Sequence, residues 1–284
     1  MNYSVIVPAH NEAGFLPGLL DSLCSQDCLP NEVVLVNDNS TDKTEEIMQD
    51  YAKKYLFVRY VNRISSAEHQ PGTKVVRAFQ HGLKALKEPY TVLVKLDADL
   101  LLPPNYFSTL LTLFQQEKVG IAGGFCVEQN AAGQWEVNHP MHKDHVRGAF
   151  KAYHSDCFKA IGGLRPSMGW DTVDELLARF HGFSVRTLDL LEVKHLRPLG
   201  KGYTKSSASA QGKAFYQMRY GVVLSFLAAL KSAHKKRSLG WFVGVNRGIF
   251  SALFSQAEFM VTKEEGRFIR RHRWAQMRLQ SKRR

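Results

Sequence analysis

Short hydrophobic runs alternate with longer segments whose apolar residues recur at helical spacing through the first half of the chain. The runs predict strands at Tyr3–Pro8, Glu32–Asn37, Phe57–Val61, Tyr90–Leu96 and Val119–Gly123. The segments between them predict helices at Glu12–Gln26, Thr41–Tyr55, Lys74–Leu86 and Pro104–Gln116. Ser40 stands where it would cap the second helix, and Pro103-Pro104 can open the fourth. Strands alternating with helices define an α/β chain: a mostly parallel central sheet flanked by helices, the architecture of nucleotide-binding domains.

From Val127 to Val146 polarity rises, with a turn at Gln129–Gly133 and His139, His142 and His145 in what reads as an active-site loop. These histidines lack the spacing of a short zinc motif, so a polar loop is the preferred reading. Regular patterning resumes with a strand at Ala149–His154, a short helix ending at Gly162-Gly163, a helix at Thr172–His181 and a strand at Phe183–Leu188. This half supplies the second wall of a cleft. Beyond Pro198, Gly200–Ser209 is rich in Gly, Ser and Lys, and two apolar segments follow, Tyr220–Leu230 and Leu239–Val261. The first is too short to span a bilayer and the second carries Asn246, Arg247 and Glu258, so both predict helices lying at a surface or packed on the domain.

A chain of 284 residues with 44% hydrophobic content can bury a large core, and one main domain with a helical extension fits it. The expected division is a catalytic domain over 1–198, split into a nucleotide-binding half (1–124) and an acceptor half (125–198), with an extension over 199–284. Cys24, Cys28, Cys126 and Cys157 form neither a disulfide framework nor a paired zinc signature, which suits a reducing cytoplasm. No signal peptide or spanning segment is expected, since Met1-Asn2 leads straight into a strand. The formal net charge of +12 is concentrated at the C-terminal end, where Arg267, Arg270, Arg271 and Arg273 are among many bases set against Glu264 and Glu265.

Candidate chemistry lies where the strands stop. Asp97-Ala98-Asp99 places two carboxylates one residue apart after a buried strand, an arrangement that a cation or hydrogen-bond donors must offset. Asp38, ending the second strand, can accept hydrogen bonds from a base or ribose, or serve as a turn aspartate. The two sites share one edge of the sheet, which reads as a metal-bound nucleotide site.

Four pieces occur in order: Val5-Ile6-Val7-Pro8-Ala9-His10-Asn11-Glu12, Val36-Asn37-Asp38-Asn39-Ser40-Thr41-Asp42, Leu96-Asp97-Ala98-Asp99, and Gly162-Gly163 followed by Trp170-Asp171. In this order the chain resembles the family 2 glycosyltransferases, inverting enzymes of the GT-A fold that use nucleotide-sugar donors. The resemblance implies that Pro8, Ala9, Asn11 and Glu12 line the nucleotide, that Asp38 holds the base or ribose, and that Asp97 sits near the ribose or metal. It implies Asp99 as the direct ligand of Mg²⁺ or Mn²⁺, with His195 able to complete the metal site or to act as a packed histidine. Lys74 and Arg77, one helical turn apart, can bring positive charge near the phosphates or form an exposed basic face.

Inverting transfer needs a base for the acceptor hydroxyl, and Asp171, Asp174 and Glu175 are the candidates. The family's Glu-Asp pair is followed eleven residues after the Asp by Gly and an aromatic; from Asp171 that lands on Gly182-Phe183. Asp171 is therefore the first choice and Asp174 the second, although Trp170 replaces the usual Glu and acidic residues at a helix start also suit the helix dipole. Trp170 can pack on a sugar ring. Trp241, Phe242, Ile249, Phe250 and Phe254, ahead of a basic end with Phe268 and Trp274, suit an anionic membrane surface and hence a lipid-linked or cell-surface glycan acceptor. Helices packed on the domain, a nucleotidyltransferase, and a non-catalytic nucleic-acid or membrane binder are the alternatives.

Overall fold

The computed structural model of the protein describes residues 1–66, 72–137, 144–197 and 205–282. Strands β1 (Tyr3–Ala9), β2 (Glu32–Asp38), β3 (Val58–Arg63) and β4 (Val92–Leu96) run parallel in the spatial order β3-β2-β1-β4. Helical crossovers α1 (Leu16–Cys24), α2 (Thr44–Lys54) and α3 (Thr73–Ala85) make this possible, because parallel neighbours cannot be joined by a tight turn. Every residue of β1 and β2 is buried, which explains their nearly unbroken apolar runs.

The rest of the sheet is mixed. It comprises β5 (Leu100–Leu101), β6 (Val119–Gln129), β7 (Trp135–Glu136), β8 (Phe150–His154) and β9 (Ser184–His195), with α4 (Tyr106–Leu113), α5 (Ser155–Ala160) and α6 (Trp170–Phe180) between them. The order continues β4-β8-β6-β9-β5, with β7 paired to β6. Strand β9 is parallel to β6, but β8 is antiparallel to both β4 and β6. No helix lies between β7 and β8 among the described residues.

Several boundaries differ from the sequence reading. Strand β6 continues to Gln129 through a register shift between Gly123 and Phe125, which breaks the period that the pattern follows. Strand β9 runs on to His195, so that histidine ends the strand. Helix α6 starts at Trp170, which puts Asp171 in its first turn. Ser40 does not cap α2: Lys43 holds the cap position, Asp42 accepts from the Thr44 amide at 3.0 Å, and Ser40 Oγ instead accepts from the Asn11 amide at 3.0 Å. Helix α1 ends at Cys24, two residues before the expected Gln26. Residues His139 and His142 of the polar loop, and 198–204 of the Gly-Ser-Lys stretch, lie outside the described residues.

The C-terminal extension is helical: α7 (Lys205–Gln217), α8 (Val222–Lys236), α9 (Leu239–Phe254) and α10 (Lys263–Lys282). Helices α7 and α9 pack backbone to backbone. A Cβ on Gly212 would overlap the Val245 carbonyl, and one on Gly248 would overlap that of Ser209. The extension is continuous with the main core, to which Met218, Tyr220, Leu224, Val261 and Ile269 belong. Helix α10 meets α6 through Phe268, whose ring lies 5.6 Å from that of Phe180. Trp241, expected at a membrane, is buried and donates to Ser232 Oγ at 2.7 Å. Among the described residues no helix is long and apolar enough to cross a membrane.

Candidate active site

Because β1, β2 and β4 are parallel, their carboxyl ends share one edge, and the strand order reverses at β1/β4, where open α/β sheets leave a crevice. Pro8 and Ala9 form the buried end of β1. Asn11, with a left-handed φ of 55°, ties the loop after β1 to the loop after β2: its Oδ1 accepts from the Thr41 amide at 2.7 Å. Asp38 is buried at the end of β2 in an ion pair with Arg63, its register partner on β3, and its carbonyl accepts from His10 Nδ1 at 2.7 Å. The sequence reading missed Arg63, whose signal was its place on the neighbouring strand.

Asp97-Ala98-Asp99 bridges β4 and β5 and is clamped at both ends. The Asp97 amide donates to the Ala149 carbonyl at 2.8 Å, and the Leu196 amide donates to the Asp99 carbonyl at 2.9 Å. The pairing of Leu100 with His195 then brings the histidine to the acidic pair: His195 Nε2 is 3.5 Å from Asp99 Oδ1. Arg197, also missed from sequence, reaches Glu12 at 2.6 Å and Asp99 Oδ2 at 3.7 Å. Asp99 is only 6% exposed. Burial and then the Asp97 charge push its carboxyl above the usual range, against the opposing pull of His195 and Arg197. Burial likewise raises Glu12 against Arg197. The crevice thus gathers Glu12, Asp97, Asp99 and His195.

Among the described residues no three His, Cys, Asp or Glu side chains converge to hold an ion on their own. Asp97 is engaged by Lys95. Asp99 and His195 nevertheless form a carboxylate–imidazole pair, and His195 Nδ1 is buried without a hydrogen-bond partner. A raised carboxylate beside an imidazole suits a hard divalent cation whose remaining ligands come from phosphates and water, as Mg²⁺ sites commonly do. The residues present fit such an ion.

The mixed part of the sheet meets this cluster through two buried lysines absent from the sequence reading. Lys95 on β4 and Lys151 on β8 are direct register partners, a like-charge pairing that needs compensation. Both ammonium groups lie over the Trp170 ring, at 5.2 and 5.8 Å from its centroid. Lys95 also donates to the Gly148 carbonyl at 2.8 Å, and Lys151 to the Asp171 carbonyl at 2.5 Å. Trp170 is therefore buried as a partner for cations. A Cβ on Gly148 would stand 3.0 Å from that of Asp171, so the loop gripped by Lys95 runs against the first turn of α6. Asp171 itself is half-buried at that turn.

Asp174 sits elsewhere. It is 1% exposed, bonded to Lys151 at 2.9 and 3.0 Å and to the Tyr153 hydroxyl at 2.6 Å. Glu175 shares Lys151 at 3.1 Å and accepts from the Val146 amide at 2.9 Å, with His145 Nδ1 at 3.1 Å. Burial pushes the Asp174 carboxyl up to about 6, even against Lys151. Burial acts the same way on Glu175, but Lys151 and then the His145 hydrogen bond prevail and hold it down at about 2. One ammonium thus balances one of the two carboxylates at a time. Lys74, at the start of α3, donates to the Ser66 carbonyl at 2.8 Å, while Arg77 is exposed. Next to Lys74, Gly72 has φ 74° and no room for a Cβ against the Ser167 carbonyl, so α3 abuts the loop that leads into α6.

A mixed α/β sheet with this acidic crevice is the frame of a GT-A glycosyltransferase, and comparison with known proteins agrees. Residues 4–166 match the model of Glycosyl transferase family 2, and the chain belongs to that family. It is 29% identical over 161 residues to the uncharacterized glycosyltransferase EpsJ of Bacillus subtilis, covering 55% of this chain and 44% of the relative. It is 30% identical over 116 residues to the undecaprenyl-phosphate 4-deoxy-4-formamido-L-arabinose transferase of Pectobacterium carotovorum, covering 39% and 32%. The chain thus spans less than half the length of these two curated relatives. Among solved structures, S. aureus TarS 1-349 in complex with UDP-GlcNAc gives a TM-score of 0.58 at 17% identity, over 82% of this chain and 67% of that one. The Pyrobaculum calidifontis mannosyltransferase PcManGT in complex with GDP-Man and Mn²⁺ gives 0.56 at 16%, over 97% and 80%. At these identities the structural likeness is one of fold.

Proposed function

We propose that the protein transfers a sugar from a nucleotide-diphosphate donor to an acceptor hydroxyl with inversion, with Asp171 as the base. The carrying observation is convergence: Asp97 and Asp99 leave β4 beside Glu12 and His195, while Lys95 joins Asp97 to the Gly148 loop that lies against Asp171. Pro8, Ala9, Asn11 and Asp38 line the nucleotide side of the crevice, and Lys74 faces the phosphates from α3. A UDP-sugar is the default donor, in line with the UDP-GlcNAc held by TarS and despite the GDP-Man held by the mannosyltransferase. Asp99 and His195, with Asp97 close by, would hold Mg²⁺ or Mn²⁺, which stabilises negative charge on a departing diphosphate; Mn²⁺ is present in the mannosyltransferase complex.

Residues 1–198 form the catalytic domain in this reading, with the nucleotide-binding half at 1–124 and the acceptor half at 125–198, and 199–284 form the extension. The acceptor is a lipid-linked glycan or cell-surface polysaccharide intermediate. The names of relatives acting on undecaprenyl-phosphate, in minor teichoic acid biosynthesis and in monoglucosyldiacylglycerol synthesis support that class. Four free thiols support a cytoplasmic place of action, at the inner face of the membrane.

The test is Asp171→Asn. Loss of a general base costs roughly 10²- to 10⁴-fold in turnover, while UDP-sugar affinity, read by calorimetry, stays within about twofold because the donor side is untouched. A variant that keeps its turnover removes Asp171 from the role.

A further inference from the structure

We propose that the outward face of the α8–α9 helix pair docks on an anionic lipid bilayer, which narrows the apolar segment and basic end expected at a membrane from sequence to one face of two helices. A helix packed at the surface of a water-soluble protein turns a polar face outward. Helix α9 does not. Trp241, Val245, Gly248 and Ala252 face inward, yet Leu239, Val243, Phe250 and Phe254 form a second apolar stripe on its outer side, with Leu239 86% and Phe254 82% exposed. Helix α8 repeats the arrangement: Leu224, Ala229 and Ala233 are buried, while Val222, Val223, Phe226 and Leu230 stand in solvent. The Phe226 and Phe242 rings meet at 5.5 Å, which joins the two helices beside these stripes.

Charge selects the occupant. Between Glu192 and Glu258 the sequence holds no Asp or Glu, against eleven Lys and Arg. Lys231, Lys235, Lys236 and Arg237 at the end of α8 and Arg247 on α9 are exposed beside the apolar stripes. A second copy of this face would bring like charges together, whereas an anionic leaflet offers hydrocarbon to the stripes and phosphates to the rim. Neither helix can cross the membrane, so the pair lies in the interface.

This deepens the lipid-linked reading above, and its test is kept apart from catalysis. The full chain is floated with vesicles of phosphatidylcholine alone and of phosphatidylcholine with phosphatidylglycerol. Strong partition to the anionic vesicles only is expected. Phe250→Ser with Phe254→Ser should weaken it by roughly tenfold or more, and Lys235→Gln and Arg237→Gln by about fivefold each at low salt. UDP release from UDP-sugars in solution should be the same in all these variants as in the parent, and reports separately on the catalytic reading. The proposal is overturned by three outcomes: no binding to anionic vesicles, binding indifferent to the substitutions, or a dimer in sedimentation velocity that the two Phe substitutions dissolve.

Discussion

Lys151 shows at the scale of one residue how helix α6 is held to the sheet. Its ammonium is fully buried and binds Asp174, Glu175 and the Asp171 carbonyl, so removing it leaves Asp174 buried against the neutral Tyr153 hydroxyl, while Glu175 keeps Arg179 at 3.8 Å. Lys151→Met should destabilise the fold by about 3–5 kcal/mol in urea unfolding, the cost of breaking a buried pair from one side. Asp174 carries the pH signature. Its carboxyl is raised from 3.8 to about 6 in the native state, so its contribution is full below pH 3.8 and is lost as pH climbs through 6. Asp174→Asn lacks that titration, and its stability relative to the parent should improve by up to about 3 kcal/mol over this window. Unfolding curves at pH 4 and pH 7 read the difference. At the nucleotide edge, Asp99→Asn should remove the Mn²⁺-dependent part of donor affinity and leave the metal-free part nearly unchanged, as calorimetry with and without Mn²⁺ would show.

Among elements, the α7–α9 contact has the least tolerance. Gly212→Val places side-chain atoms where the Val245 backbone already lies, and should lower Tm by roughly 5 °C or more. What the sequence made legible follows from the same kind of reasoning. Strands β1, β2 and β4 could be read because burial on both faces writes nearly continuous apolar runs, and Asp38, Asp97 and Asp99 could be found because they stand where those strands stop. Lys95 and Lys151 could not, since a lysine inside a strand gains a partner only through β8, whose antiparallel register no local pattern encodes. Arg197 was likewise placed by the pairing of β5 with β9, which also set His195, named from sequence, against Asp99, and Trp241 turned inward because α9 is apolar on both faces.

For the molecule as a whole, the extension is part of the fold. Met218, Tyr220, Leu224, Val261 and Ile269 close the main core, and burying side chains of this size stabilises by about 1.5–3 kcal/mol each, together on the order of a typical domain's entire stability. A chain ending at residue 204 should therefore fail to unfold cooperatively in a thermal melt. The seam falls on α6, through Phe180 with Phe268, and on the loop that leads into it, where the Ser167 hydroxyl lies 3.4 Å from Gln217 Oε1. A flexible tether would let the catalytic crevice wander over a bilayer. With the α8–α9 face on the bilayer and Asp171 as the base, both proposed above, a rigid mount on the helix that bears Asp171 would instead work as a depth gauge, accepting hydroxyls at one height above the lipid and passing over those a sugar nearer or farther.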